Sequence, residues 1–257
     1  MTTKQVHHPS LAVAILAAGK GTRMKNPDMA KVMYPLGGKP MVDYVIELAG
    51  NLSAERILLI IGWKKDAVRE HVSTAHPNVE FIEQTEQLGT GHAIKQTEEA
   101  LKSYAGDVLV LSGDVPLLSL KTITALIGYH RTTEAFATIL TAELDDPTGY
   151  GRIVRNSDGS VMKIVEHKDA SPKELRIAEI NSGIYLFNKE KLFDSLRLLR
   201  SNNTQGEYYL TDVFENFWKN QWRVSAVKAV DPVEVMGIND LEQLETAHWL
   251  VVSSKNA

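Results

Sequence analysis

The sequence predicts an α/β domain: a mixed, mostly parallel sheet flanked by helices on both faces. Three observations predict it. Apolar, β-branched runs at Leu11–Leu16, Arg56–Ile61, Val79–Ile82 and Asp107–Leu111 alternate with stretches of helical spacing at Met41–Leu52, Lys64–Ser73 and Gly91–Tyr104. The strand-like runs are apolar throughout, as expected of strands covered on both sides. Small residues and glycines follow the first and last of these runs, at Leu16–Gly21 and at Ser112-Gly113-Asp114. In such sheets ligands lie beyond the carboxyl ends of the strands.

The elements follow in order. Leu11–Leu16 reads as a buried first strand, and residues 1–10 as an N-terminal extension. The run is short and small like a signal-peptide core, yet it leads straight into Lys20, Arg23 and Lys25, which fits a structural strand. In the turn Leu16-Ala17-Ala18-Gly19-Lys20-Gly21-Thr22-Arg23-Met24, little bulk lets backbone N–H groups approach a ligand, and Lys20, Arg23 and nearby Lys31 suit a polyanion such as a nucleoside triphosphate. Two familiar phosphate motifs fail here. Ala14 stands where a Walker loop needs its first glycine, and Met24 where a dinucleotide fingerprint needs its third. By itself the loop is also compatible with an ordinary strand-to-helix turn carrying surface lysines.

Gln84, Gln87, Gly89 and Thr90 lie in one polar segment. Amides donate and accept together, which suits the edge of a nucleobase, and Thr90 is placed to cap the helix that follows. A plain polar loop is the competing reading. Asp114 arrives at a strand end after Val108–Leu111, with Gly113 removing bulk beside it and Pro116 stopping the strand. That carboxylate is placed to hold a divalent cation or, alternatively, to cap its own turn. Ser119 is a good N-cap for a helix running towards His130.

The pattern changes after about Ala135. Phe136–Ala142, Gly151–Arg155, Val161–Glu166 and Glu179–Phe187 read as strands, with a hairpin signal at Asn156-Ser157-Asp158-Gly159. Lys189–Leu199 and Glu207–Lys219 read as helices, Arg223–Val230 as a strand and Asp240–Val251 as a final helix, with Ser253–Ala257 frayed. No linker separates the halves, so residues 11–257 are expected to form one domain, the later strands joining the same sheet beside a substrate-facing lobe.

Composition narrows the function. With 257 residues, 44% hydrophobic and a formal charge of -4, the chain carries no electrostatic footprint for nucleic acid. There is no cysteine, which excludes disulfides, thiolate zinc sites, iron–sulfur clusters and cysteine nucleophiles. The eight histidines show no metal-ligand spacing, and no nucleophile elbow supports a serine triad. No segment approaches the ~20 apolar residues of a membrane span. A cytoplasmic protein is expected, and no protein partner is indicated.

Eight motifs in sequence carry a resemblance: LAAGKGTRM at 16–24, AKVMYPLGGKPM at 30–41, EQLGTGHA at 86–93, SGDVPLL at 112–118, DPTGYGRIVR at 146–155, IVEHKDAS at 164–171, EINSGIYLF at 179–187 and QGEYYLTD at 205–212. The chain resembles the sugar-1-phosphate nucleotidyltransferases, most closely the N-terminal pyrophosphorylase (uridylyltransferase) domain of bacterial bifunctional enzymes that make UDP-N-acetylglucosamine. The resemblance implies the nucleotide-diphospho-sugar transferase fold, which is glycosyltransferase-A-like and Rossmann-like. It implies magnesium-dependent in-line transfer from UTP to N-acetylglucosamine 1-phosphate, with a nucleotide-binding part over about 11–135 and a sugar-binding part over about 136–240. Arg23 and Lys31 match the residues that steady the reacting phosphates. Leu16, Ala17, Ala18 and Gly19 match the nucleotide-lining loop, and Gln84, Gln87, Gly89 and Thr90 the uracil-reading segment. Asp114, flanked by Ser112 and Gly113, and Asn239 match the magnesium ligands. Gly151, Glu166 and Asn181 match the sugar-holding residues, with Tyr209 and Thr211 further lining positions.

Two departures stand out. Ser112 occupies a place where relatives often carry tyrosine, and Ala30 one where proline is frequent. These residues contain no hexapeptide-repeat β-helix, so acetyl transfer and trimerisation are not expected of them. Another sugar 1-phosphate, or a catalytically silent binding relative, is the alternative outcome.

Overall fold

The computed structural model describes residues 10–255. The expected N-terminal extension lies outside that range except for Ser10, which already belongs to the first strand. The strands are β1 (Ser10–Ala17), β2 (Pro35–Leu36), β3 (Lys39–Pro40), β4 (Arg56–Ile61), β5 (Val79–Glu83), β6 (Gly106–Ser112), β7 (Ala137–Glu143), β8 (Gly151–Arg155), β9 (Val161–Val165), β10 (Glu179–Asn188) and β11 (Val224–Lys228). The helices are α1 (Met41–Asn51), α2 (Lys65–Ala75), α3 (Thr90–Lys95), α4 (Leu120–Thr132), α5 (Lys189–Leu196), α6 (Val213–Lys219) and α7 (Leu241–Lys255).

The main sheet runs β11-β7-β10-β6-β1-β4-β5, with β8 branching from β10 and β9 from β8. β1 pairs in parallel with β4 on one side and β6 on the other, and its Leu16 stands opposite both Ile60 and Ser112. The two ligand-facing segments read from the sequence therefore end side by side. β10 runs antiparallel between β6 and β7, which makes the sheet mixed. Its register against β7 slips between Asn181 and Tyr185, at Gly183 with φ 80°. A bulge of this kind re-aims the side chains beside it.

Alternation along β1 feeds two cores. Leu11, Val13, Ile15 and Ala17 join the layer under α1, α2 and α4, while Ala12 and Ala14 join the layer under α3, α5 and α6. This period of two, with both faces buried, is why the strand contains no polar residue after the exposed Ser10. A third cluster of Met24, Tyr34, Leu36, Met41, Ile238, Ala247 and Val251 fastens α7 to the loops that follow β1.

Four details depart from the sequence reading. Residues 35–40 form a small hairpin, β2 to β3, turned by Gly37 (φ 57°) and Gly38 (φ 101°). The helix expected over Gly91–Tyr104 stops at Lys95 and continues as tighter turns, among them Gln96 N to Ala93 O (3.1 Å) and Thr97 N to Ile94 O (3.0 Å). There the Thr97 hydroxyl also donates to Ile94 O at 2.7 Å, competing with helical pairing. Residues Glu207–Tyr209 are irregular rather than helical, with Tyr209 extended. Tyr208 N donates to Leu88 O and its carbonyl accepts from Gly91 N, each at 2.8 Å, so its backbone groups are engaged elsewhere in the chain. The last helix runs on through Ser253 to Lys255 instead of fraying there.

Candidate active site

The loop after β1 closes over Lys31 because of one glycine. Gly21 has φ 59°, and a Cβ on it would stand 2.5 Å from Lys31 Cβ, so only glycine admits this crossing. Lys31 Nζ donates to Asp114 Oδ2 in an ion pair, and to Asn239 Oδ1 at 3.0 Å. Asp114 reaches this point from the end of β6, where Gly113 N donates to Leu16 O at 2.9 Å. A Cβ on Gly113 would press on that carbonyl and on Val32 at 3.1 Å. Asn239 is delivered by Ile238, whose N–H donates to Asp114 O at 2.8 Å. Asn239 Nδ2 is held by Gly237 O at 3.0 Å, which leaves Oδ1 turned to the lysine. Three segments remote in sequence thus meet in one partly buried charged group.

A cavity of about 540 Å³ opens beside this group. Leu16, Ala17, Ala18, Gly19, Gln84, Gln87, Gly89, Thr90, Ser112, Lys31 and Asp114 all line it. Gly89 has φ 105°, and a Cβ there would meet Tyr208 O at 2.7 Å. Gln84 is buried, and its Nε2 donates to Gly89 O at 3.1 Å, while Gln87 Nε2 donates to Gln84 O at 3.0 Å. Thr90 does not cap α3. It is the first residue of that helix, and its hydroxyl accepts from Leu210 N at 3.1 Å, tying the nucleotide-side segment to the far lobe. Ser119 does cap α4, accepting from Thr122 N at 3.2 Å.

The residues matched to sugar binding gather elsewhere. Gly151 pairs with Asn181 in the β8–β10 ladder, and a Cβ on Gly151 would stand 3.4 Å from both Asn181 Cβ and Glu166 Oε2. Asn181 Nδ2 donates to the buried Tyr185 hydroxyl at 2.6 Å, and Thr211 Oγ1 donates to Glu166 Oε1 at 3.0 Å. Burial raises the Glu166 carboxyl above the usual carboxylate range. The Thr211 bond opposes that shift, and Asp169 and Glu207 add to it. Glu166, Tyr209 and Thr211 line a second cavity of about 780 Å³, together with Asp169, Asp212 and Glu215. Burial pushes the Tyr209 phenol up to about 12. Gly151 and Asn181 line neither cavity.

Arg23 is exposed and lies outside the lining of the first cavity. The charges of both Arg23 and Asp114 reach the Tyr150 phenol. Burial raises the Tyr150 phenol and a Gly237 backbone bond lowers it, then Asp114 raises and Arg23 lowers it. Residues the sequence reading did not single out also line the first cavity: Gly21, Thr22, Val32, Ala93 and Glu207. The first two sit inside the loop motif. Val32, Ala93 and Glu207 lie in the quoted motifs at 30–41, 86–93 and 205–212, but only tertiary packing brings them to one cavity. Among the described residues no group of three or more His, Asp or Glu side chains is arranged to hold a metal.

A helix-covered, mostly parallel sheet whose glycine loop, lysine and strand-end carboxylate converge beyond the carboxyl ends defines an α/β domain with its candidate ligand site at those ends. Residues 12–233 match the nucleotidyl transferase family, and the chain belongs to that family. It is 47% identical over 237 residues to the bifunctional protein GlmU of Geobacter metallireducens, covering 92% of this chain and 49% of that protein. Against the bifunctional protein GlmU of Acetivibrio thermocellus it is 48% identical over 243 residues, covering 95% of this chain and 52% of the relative. The chain therefore spans about half the length of the curated relatives it matches. The fold is shared with the crystal structure of a UDP-glucose pyrophosphorylase complexed with UDP-glucose, at a TM-score of 0.76 and 16% identity over 95% of this chain and 99% of that one.

Proposed function

We propose that this chain is a uridylyltransferase that forms UDP-N-acetylglucosamine and pyrophosphate from UTP and N-acetylglucosamine 1-phosphate. One observation carries the reading: Lys31, Asp114 and Asn239 converge beside a glycine loop and a glutamine-lined cavity. A triphosphate needs cations and backbone donors at one end and amides at its base, and this cavity offers both. The near-50% identity to GlmU proteins supports the choice of uracil and of an N-acetylhexosamine.

In this mechanism the sugar-phosphate oxygen attacks the α-phosphorus of UTP in line. The new O–P bond forms as the bond to the β-phosphate oxygen breaks, and pyrophosphate leaves with the electron pair. The attacking oxygen is already ionised, so no protein base or nucleophile is required. The protein aligns the reactants and neutralises charge. Lys31 and Arg23 stabilise charge that grows during transfer. Asp114 Oδ2 and Asn239 Oδ1 are turned to one shared cation, the Lys31 ammonium. Two hard oxygen donors with room for phosphate oxygens fit magnesium, which these residues would hold. The ion would supply charge neutralisation at the phosphates. Gly151, Glu166, Asn181, Tyr209 and Thr211 are assigned to the sugar side, in the part that follows about residue 136.

The partners proposed are these small molecules, with neither nucleic acid nor membrane involved, and the compartment proposed is the cytoplasm. No helix of the described residues is long and apolar enough to cross a membrane. A panel of nucleoside triphosphates and sugar 1-phosphates, read by pyrophosphate release, tests the proposal. UTP with N-acetylglucosamine 1-phosphate is expected to give the highest kcat/KM. A different preferred pair reassigns the substrate, and nucleotide binding without pyrophosphate release removes the catalytic reading.

A further inference from the structure

Lys31 is paired with Asp114, Lys39 with Glu47 and Lys65 with Glu83. Lys20 is held differently. It is exposed, lines the first cavity and has no carboxylate partner among the described residues. Its Nζ lies instead 5.5 Å from the centroid of the Trp63 ring, within reach of a cation–π attraction. Lys64 Nζ stands 5.9 Å from the same ring and 3.6 Å from the exposed Asp28 carboxylate. Backbone contacts fix the place of Trp63 beside the glycine loop. Trp63 N donates to Ala18 O at 3.1 Å, and a Cβ on the preceding Gly62 would stand 2.9 Å from Ala18 Cβ. The indole N–H is buried without an acceptor among the described residues, so no hydrogen bond of its own orients the ring.

A carboxylate and an indole face both attract an ammonium, with opposite consequences for an incoming anion. The carboxylate cancels the charge. The indole is neutral, so its quadrupole restrains the ammonium and leaves the net charge in place. A long exposed lysine loses rotamer freedom when it grips a ligand, and one already resting on a ring loses less. Two cations drawn to one ring also repel each other, which a nearby anion relieves. We propose that Trp63 is a positioning residue for phosphate binding. It keeps the Lys20 ammonium pre-placed and un-neutralised at the cavity, for the phosphate chain of the nucleotide and for released pyrophosphate. The identity of the ligand rests on the uridylyl-transfer reading, whereas the lysine–indole contact does not.

The test has two arms on the full chain. Calorimetric titrations with inorganic pyrophosphate, UTP and uridine compare wild type with Trp63→Leu, Trp63→Phe and Lys20→Met. Trp63→Leu is expected to weaken pyrophosphate and UTP about three- to fivefold and to leave uridine within about 1.5-fold. Trp63→Phe, which keeps a ring and removes a donor that has no partner, retains most of the affinity. In the Lys20→Met background, Trp63→Leu is expected to cost less than about 1.5-fold, because the ring then has no ammonium to hold. An equal loss for uridine and pyrophosphate, or an undiminished loss in the Lys20→Met background, overturns the proposal. The second arm needs no ligand. The Lys20 Hε protons, assigned by their loss in Lys20→Met, are expected upfield of their ordinary position through the ring current of Trp63. An ordinary shift overturns the proposal, and if Trp63→Leu does not fold, this shift and the Trp63→Phe titrations decide. If wild type binds UTP and pyrophosphate but forms no nucleotide sugar, the uridylyl-transfer reading falls and the role of Trp63 stands. Binding of neither phosphate compound overturns that role.

Discussion

The cavities on the two sides of residues 205–212 differ in size and in charge. Glu207 turns into the smaller one, of about 540 Å³, which is lined by glycines, Lys20 and Lys31. Tyr209, Thr211 and Asp212 turn into the larger one, of about 780 Å³, where four carboxylates gather with Arg200 and Lys219. In that larger space burial, then Glu166, Glu215 and Asp169, push the Asp212 carboxyl up to about 6. A triphosphate would meet like charge there, and Lys219 is already paired with Glu215 at 2.6 Å. The less acidic lining and the backbone's close approach, rather than volume, support assigning the proposed nucleotide to the smaller cavity. Neutral hydroxyl-rich groups are less sensitive to the acidic lining, which is consistent with assigning a sugar to the Glu166 side.

The comparison is broken most sharply at Asp114. Asp114→Ala should lower kcat by about 10³-fold and weaken dependence on magnesium, as steady-state rates over a magnesium titration would reveal. An unaltered titration removes Asp114 from the metal assignment. Arg23→Ala should cost roughly 10²-fold in kcat with the thermal melt unchanged, since its side chain is exposed. Near-normal turnover would leave Arg23 outside the mechanism.

A smaller effect separates the cavities from each other. Glu166→Gln should raise KM for the sugar phosphate about tenfold and leave KM for UTP within about twofold. Equal changes in both constants would mean that the two cavities act as one.

The smallest effect is on stability. The Asp212 carboxyl binds its proton more tightly folded, at about 6, than at its ordinary 3.8. Folding is therefore relatively favoured below the ordinary value and loses stability as pH rises through that interval. Asp212→Asn should melt about 2 °C or more above wild type at pH 7.5 and show no gain near pH 4. The opposite order of melts would show that its surroundings do not disfavour the charge.

Much of the fold was legible because buried parallel strands leave a strong local trace. β1, β4, β5 and β6 were placed within a residue or two at their ends. The misjudged stretches have a common cause. Residues 96–103 and 207–209 carry helical composition, but their backbone groups bond in tight turns or to distant partners such as Leu88 and Gly91. The Gly37-Gly38 hairpin had a local signal that the reading passed over. Thr90 looked like a helix cap by spacing, and only the fold supplied Leu210 N as its partner.

By itself the sequence determined the order of strands and helices, the glycine loop with its basic residues, and the family. These follow from periodicity and short motifs, which are local. Tertiary structure decided that Asn239 joins Lys31 and Asp114, and that Glu166, Tyr209 and Thr211 line a separate acidic cavity while Gly151 and Asn181 do not. Each depends on contacts between residues far apart in the chain, made only when the sheet brings β1 and β6 together and α7 closes against the loop beside them.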